Sequence, residues 1–160
     1  MPSFSANPPG GGTPQSIPVT NDGFFPDIDL IAMRDAIRLD GTVTDTRLRD
    51  ATVAAIIHVN GEVRSLKASA TSAGNTRLAD ILADQVDGKS ILVAHYLRAV
   101  YCTAKADLIE RYADYDTTAT SLDDKKLVGF LGNGPDEQRR NAQWAISDLL
   151  GRHHVTVELI

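Results

Sequence analysis

The residues of this chain best suited to chemistry are four histidines, His58, His95, His153 and His154, one cysteine, Cys102, and a scatter of carboxylates. An imidazole can move a proton near neutral pH or bind a metal, and either task needs a polar partner at a fitting distance. His153-His154 is the closest pair, but adjacent residues on a strand point to opposite faces. No His-Glu-x-x-His string and no spaced carboxylate accompanies any of the four. A catalytic triad is spatial rather than sequential, yet the chain lacks the Gly-x-Ser-x-Gly elbow and the βα alternation that would hold one.

Two glycine-rich strings, Gly10-Gly11-Gly12-Thr13-Pro14 and Gly132-Asn133-Gly134-Pro135, invite a phosphate-loop reading. Neither follows a predicted strand and neither ends in Gly-Lys-Ser/Thr, so a nucleotide site is not expected. Cys102 falls in an apolar helical stretch, where a free thiol packs as a small hydrophobe. The expectation is a protein without catalytic residues, cofactor or metal.

The elements that would have to position any site are mostly helical. After an opening rich in Pro, Gly, Ser and Thr, Asp27 or Asp29 can cap a short helix running to about Leu39, with Gly41 to end it. Thr44 caps a second. From there Leu48, Thr52, Ala55, Ile56, Val59, Val63 and Leu66 recur at three- and four-residue spacing, predicting an amphipathic helix of about 26 residues. Asn60-Gly61 is the place in it where a bend or break is expected, because glycine costs about 1 kcal/mol inside a helix.

Residues 71–88 read as a connection with turn signals at both ends. A third helix is predicted over 89–112, with Asp107 and Arg111 placed to pair. A polar loop over 113–124 and a short helix over 125–131 follow. Pro135 suits the first turn of a last helix, Asp136 and Glu137 its positive end, and Gly151 its stop. Leu48, Ile56, Val63, Leu97, Leu108 and Trp144 are the expected core. Residues 154–160, β-branched and alternating, predict a C-terminal strand.

The chain of 160 residues is long enough for one core. Its fold class is therefore mainly α: a small helical bundle over 24–160, preceded by an extended N-terminal arm over 1–23 and ending in a short β-strand. The arm has too little apolar area to offset its ordering entropy alone, and it lacks the basic and apolar regions of a signal peptide. No apolar run of about 20 residues spans a membrane. A net charge of -5, with 16 scattered basic residues against 21 acidic ones, argues against gripping nucleic acid.

Both ends point toward partners. Unless a partner strand exists elsewhere in the chain, a single strand must pair with another subunit or a binding partner, which makes Val155, Val157 and Leu159 candidate interface residues. Phe24, Phe25 and Pro26 adjoin the arm rather than a periodic helix. For the two rings, anchoring an interface and docking into the chain's own core are both open.

Taken in order, several strings resemble the head-completion proteins, the L-protein family, of contractile-tailed temperate phages. They are Phe24-Phe25-Pro26-Asp27-Ile28-Asp29, Arg38-Leu39, Arg47-Leu48-Arg49, Thr76-Arg77-Leu78-Ala79-Asp80, Asp87-Gly88-Lys89-Ser90, Tyr96-Leu97-Arg98-Ala99-Val100, Glu110-Arg111-Tyr112, Asp124-Lys125-Lys126 and Trp144-Ala145. They cover about residues 24 to 160 and leave the arm unmatched. In place of the continuous polar helix of the family after Lys126, this chain carries Gly129, Gly132 and Gly134.

The resemblance implies a virion protein at the head–tail junction, made in the host cytoplasm. Its implied partners are the portal protein, tail-terminator or tail-completion proteins, and further copies of itself in a connector ring, commonly of about twelve subunits. It implies proximity to packaged DNA without a grip on it, and an acidic lumen would suit that. The competing expectation is a small helical adaptor outside the virion, monomeric or dimeric.

Overall fold

A computed structural model describes residues 18–39, 43–116 and 134–154, with side chains of 112–116 excepted. Five helices appear among them: α1 (Leu30–Ala36), α2 (Asp45–Glu62), α3 (Arg64–Ser72), α4 (Ile91–Asp116) and α5 (Pro135–Leu149). A 3-10 turn at Leu78–Asp80 and a two-stranded hairpin, β1 (Gln85–Val86) with β2 (Lys89–Ser90), lie between α3 and α4. The mainly α class is as expected.

The central element is α4. It buries Tyr96, Ala99, Val100, Ala104, Ala106, Leu108 and Ile109, residues distributed around most of its circumference. A helix apolar on several sides needs neighbours on several sides. Here α5 packs along α4 most extensively and α2 packs against it as well. Ala51 and Ala55 on α2, Ala99, Ala104 and Ala106 on α4, and Ala142 and Ala145 on α5 are all buried. Side chains this short let the axes approach at the small end of the usual spacing.

Local sequence accounts for most helix ends. Asp29 accepts from the N–H groups of Ile31 and Ala32 at 2.8 and 3.2 Å and starts α1, while Thr44 caps α2 through the N–H of Arg47. Pro135 opens α5 with Asp136 and Glu137 in its first turn. Gly74 and Gly151, at φ of 92° and 64°, follow α3 and α5. In both places an N–H one residue on reaches back to the helix, Asn75 to the carbonyl of Ala70 and Arg152 to that of Ser147. A glycine relieves the left-handed backbone that this closure requires.

The structure departs from expectation at several places. The helix expected in one piece from Thr44 is α2 plus α3, and the break falls at Val63 rather than at Asn60-Gly61. Val63 is fully buried, and Asn60 is tied by its side chain to two other elements, which holds the helix straight through Gly61. The connection over 71–88 contains the hairpin start, so α4 begins at Ile91 and extends to Asp116, four residues past the predicted end. Asp87 and Gly88 both have positive φ, 51° and 69°, the geometry of a tight hairpin turn. Trp144 is half-buried rather than core, because Ala142, Ala145, Ile146 and Leu149 form the inward stripe of α5 and Trp144 lies on the far side of it. Leu97 is likewise only partly buried, whereas Leu48, Ile56, Val63 and Leu108 are buried as expected.

Residues 18–23, inside the stretch read as an arm, are already folded: Val19 exchanges backbone hydrogen bonds with Ile28 at 2.8 and 3.0 Å and is buried. Gly41, the short helix expected over 125–131 and the C-terminal strand beyond His154 lie outside the described residues. Among the described helices none is long and apolar enough to cross a membrane.

Candidate functional site

The four histidines do not gather at one place, although two of them share a carboxylate. His58 stands exposed on α2 beside a groove of about 460 Å³ lined by Ala51, Ala54, Thr103, Asp107 and Arg139. His95 and His154 approach different oxygens of Asp148, at 3.7 and 2.7 Å, and the His154 ring stacks on Trp144 at 5.5 Å. A direct imidazole–carboxylate hydrogen bond leaves no space between the groups for a cation. No group of three or more His, Cys, Asp or Glu side chains among the described residues is arranged to hold a metal. Burial raises the pKa of the Cys102 thiol, against the smaller pull of Arg98 and Lys105, which keeps it a thiol rather than a nucleophilic thiolate.

What the sequence marked around Phe24, Phe25 and Pro26 is a folded loop. Val19 and Ile28 close it with their paired backbones, and Asp22 organises its turn by accepting from the N–H groups of Phe24 and Phe25 at 3.0 and 3.1 Å. Lys67 on α3 donates to the other Asp22 oxygen at 2.7 Å and sits over the Phe24 ring. Partial burial works to raise the Asp22 pKa, but the Lys67 bond and the two backbone donors outweigh it and leave it lowered.

Both rings are buried in this chain's own core. Phe24 meets Phe25 edge-on at 5.0 Å, and Phe25 stacks on Tyr96 of α4 at 4.7 Å. The Tyr96 hydroxyl donates to Asn60 Oδ1 at 2.6 Å and accepts from Asn21 Nδ2 at 2.7 Å. Asn60 Nδ2 donates to Asn21 Oδ1 at 2.9 Å, closing a triangle between the loop, α2 and α4. Pro26 stays half-exposed, and its carbonyl accepts from Asn21. Val155, Val157 and Leu159 lie outside the described residues.

The surface features that the sequence reading missed are apolar. Leu82 is wholly exposed, Val86 on the hairpin is 68% exposed, and Ile57 and Val53 on the outer face of α2 are 69% and 40% exposed. Burying one such side chain against a partner is worth about 2 kcal/mol. Beside Ile57 lies a shallow depression of about 350 Å³, bounded by Phe25, Asn60, Gly61, Arg64 and Lys67. The Asp87-Gly88 pair was the available signal for the hairpin. Asn21 had none, since its partners are 39 and 75 residues away.

Comparison with known proteins identifies the family. Residues 19–160 match the family described as phage head completion protein (GPL), so the match begins at the first residue of the closed loop. The head completion/stabilization protein of Escherichia phage P2 is 39% identical over 142 residues, covering 89% of this chain and 82% of the relative. No solved structure matches.

Proposed function

The chain belongs to the phage head completion protein (GPL) family, and on that basis we propose that it docks on the portal of the DNA-filled head and forms a connector ring that receives the tail. Its role in head assembly is structural. The family match over 19–160 is the observation that carries this reading, and the exposed Val53, Ile57, Leu82 and Val86 support the ring. Exposed apolar side chains such as Leu82 and the 68% exposed Val86 are surface that an assembly would cover.

Two further partners belong to the proposal. Tail-terminator or tail-completion proteins meet the ring on the side away from the portal. Packaged DNA passes its lumen, and the chain's net charge of -5 favours passage over retention. The head–tail junction of the virion is thus the site of action. The C-terminal residues Val155, Val157 and Leu159, and Pro26 at the loop surface, remain candidate contacts to portal or neighbour.

The test is the mass of the purified chain, alone and mixed with the portal ring of its own phage. A monomer gathered by the portal in about twelve copies is the expected result. A chain that ignores the portal would overturn the connector reading and leave the adaptor reading in its place.

A further inference from the structure

We propose that the ring contact is head-to-tail, with the hairpin of one copy seated in the depression beside Ile57 and Gly61 of the next. The inference rests on the connector reading above and names the surfaces that build it.

Gly61 supplies the first argument. It lies within α2 without a positive φ, and a Cβ built on it would meet nothing within 4 Å. The subunit's own fold therefore gives no reason for glycine, although glycine weakens a helix relative to alanine. A residue kept bare on an outer face serves a group that approaches from outside. Ile57, 69% exposed and one helical turn earlier, supplies apolar surface beside that bare backbone, and Phe25 contributes to the lining.

Charge supplies the second. Asp22 and Lys67 in the depression neutralise each other at 2.7 Å, which leaves Arg64 as its cation without an ion-pair partner among the described residues. The hairpin region presents the opposite sign. Asp84 lies between the exposed Leu82 and Val86 along the chain and Asp87 follows Val86, and neither carboxylate has an ion-pair partner among the described residues. Lys89, the strand partner of Val86, is the one cation on the hairpin itself. Asp80, further back, is engaged by Arg77. An apolar knob edged by carboxylates thus matches an apolar hollow edged by a guanidinium.

The two surfaces are different patches, so one copy's knob occupies the next copy's hollow and leaves its own hollow for a third. Such a heterologous contact propagates, and it closes into a ring where the rotation allows. Exposed apolar surface on a small hairpin and at a helix turn is also modest in area, which suits assembly gathered on a template rather than free in solution.

The test uses the full chain, free and on portal rings of its own phage. Gly61→Ala is expected to raise the subunit's Tm by roughly 2–4 °C while weakening self-association at least about tenfold. Arg64→Asp should weaken it similarly, and Asp84→Arg with Asp87→Arg added to that variant should restore it to within about threefold. In a chain carrying Ile57→Cys and Leu82→Cys, oxidation should give a ladder of linked species beyond the dimer.

Linked dimers alone would mean reciprocal pairing and would overturn the head-to-tail contact. So would Gly61→Ala or Arg64→Asp chains that associate like wild type, or variants that self-associate normally and lose only the portal. The copy number of wild-type chain on the portal judges the connector reading separately. A wild-type chain that associates neither with itself nor on the portal would overturn both.

Discussion

Replacing Tyr96 with phenylalanine tests whether the closed loop over 19–28 is held by its polar triangle or only by its rings. The substitution keeps the stack on Phe25 and removes one hydroxyl, which donates to Asn60 at 2.6 Å and accepts from Asn21 at 2.7 Å. Asn21 Nδ2 retains the Pro26 carbonyl at 3.1 Å, and the Asn60–Asn21 bond at 2.9 Å survives. Asn60 Oδ1 is therefore the atom left short of a donor. Two net hydrogen bonds of about 0.5–1.5 kcal/mol each, less what water restores at a half-buried site, give a loss of about 1–2 kcal/mol. For a chain of this length the Tm should fall by roughly 3–7 °C.

Calorimetry measures that fall, and hydrogen exchange at the Val19 and Ile28 amides should show it localised at the loop. The wild type should also carry an alkaline sensitivity that the variant lacks. Burial, reinforced by the Asp22 carboxylate and opposed by the Asn21 bond, raises the Tyr96 phenol above its ordinary value of 10.0. A group raised in the folded state stabilises it fully below the unfolded value and loses that contribution as pH rises beyond it. A Tyr96→Phe chain that melts within about 0.3 kcal/mol of wild type, or with the same alkaline slope, would refute the reasoning.

Leu48→Ala should cost about 2–5 kcal/mol in denaturant unfolding, because Leu48 is fully buried; Trp144→Ala should cost less than Leu48→Ala, since that ring is only partly buried and lies off the inward stripe of α5. Truncation of residues 1–23 removes Val19, Asn21 and Asp22 from their partners and should lower the Tm by several degrees, as thermal melts of the full and shortened chains would show. For Asp22→Asn the expected result is a stability gap to wild type that is full above pH 3.8 and closes as pH falls. A carboxyl lowered in the folded state contributes above its unfolded value and loses that contribution on protonation, and acid titration of both chains checks the sign.

Much of this protein was legible along the chain because helices are local. Caps at Asp29 and Thr44, Pro135 at the start of α5, Gly151 at its end and the Asp107–Arg111 pair, found at 3.0 Å, each depend on residues a few positions apart. The family strings were equally readable, since they are a matter of residue order. The periodicity of 44–66 was also correct, but a kink at Val63 depends on what Val63 is buried against, and that is not written in the spacing.

Tertiary structure alone decided the rest. Phe24 and Phe25 could have anchored a partner or the core, and only Tyr96, 71 residues beyond Phe25, made them core. Asn21 reads as a loop residue until Asn60 and Tyr96 are beside it. Trp144 has the composition of a core residue and the angular position of a surface one, because α4 meets the other side of α5. Which apolar residues stay uncovered is also a three-dimensional outcome: hydrophobicity is a property of a residue, but exposure is a property of everything packed around it.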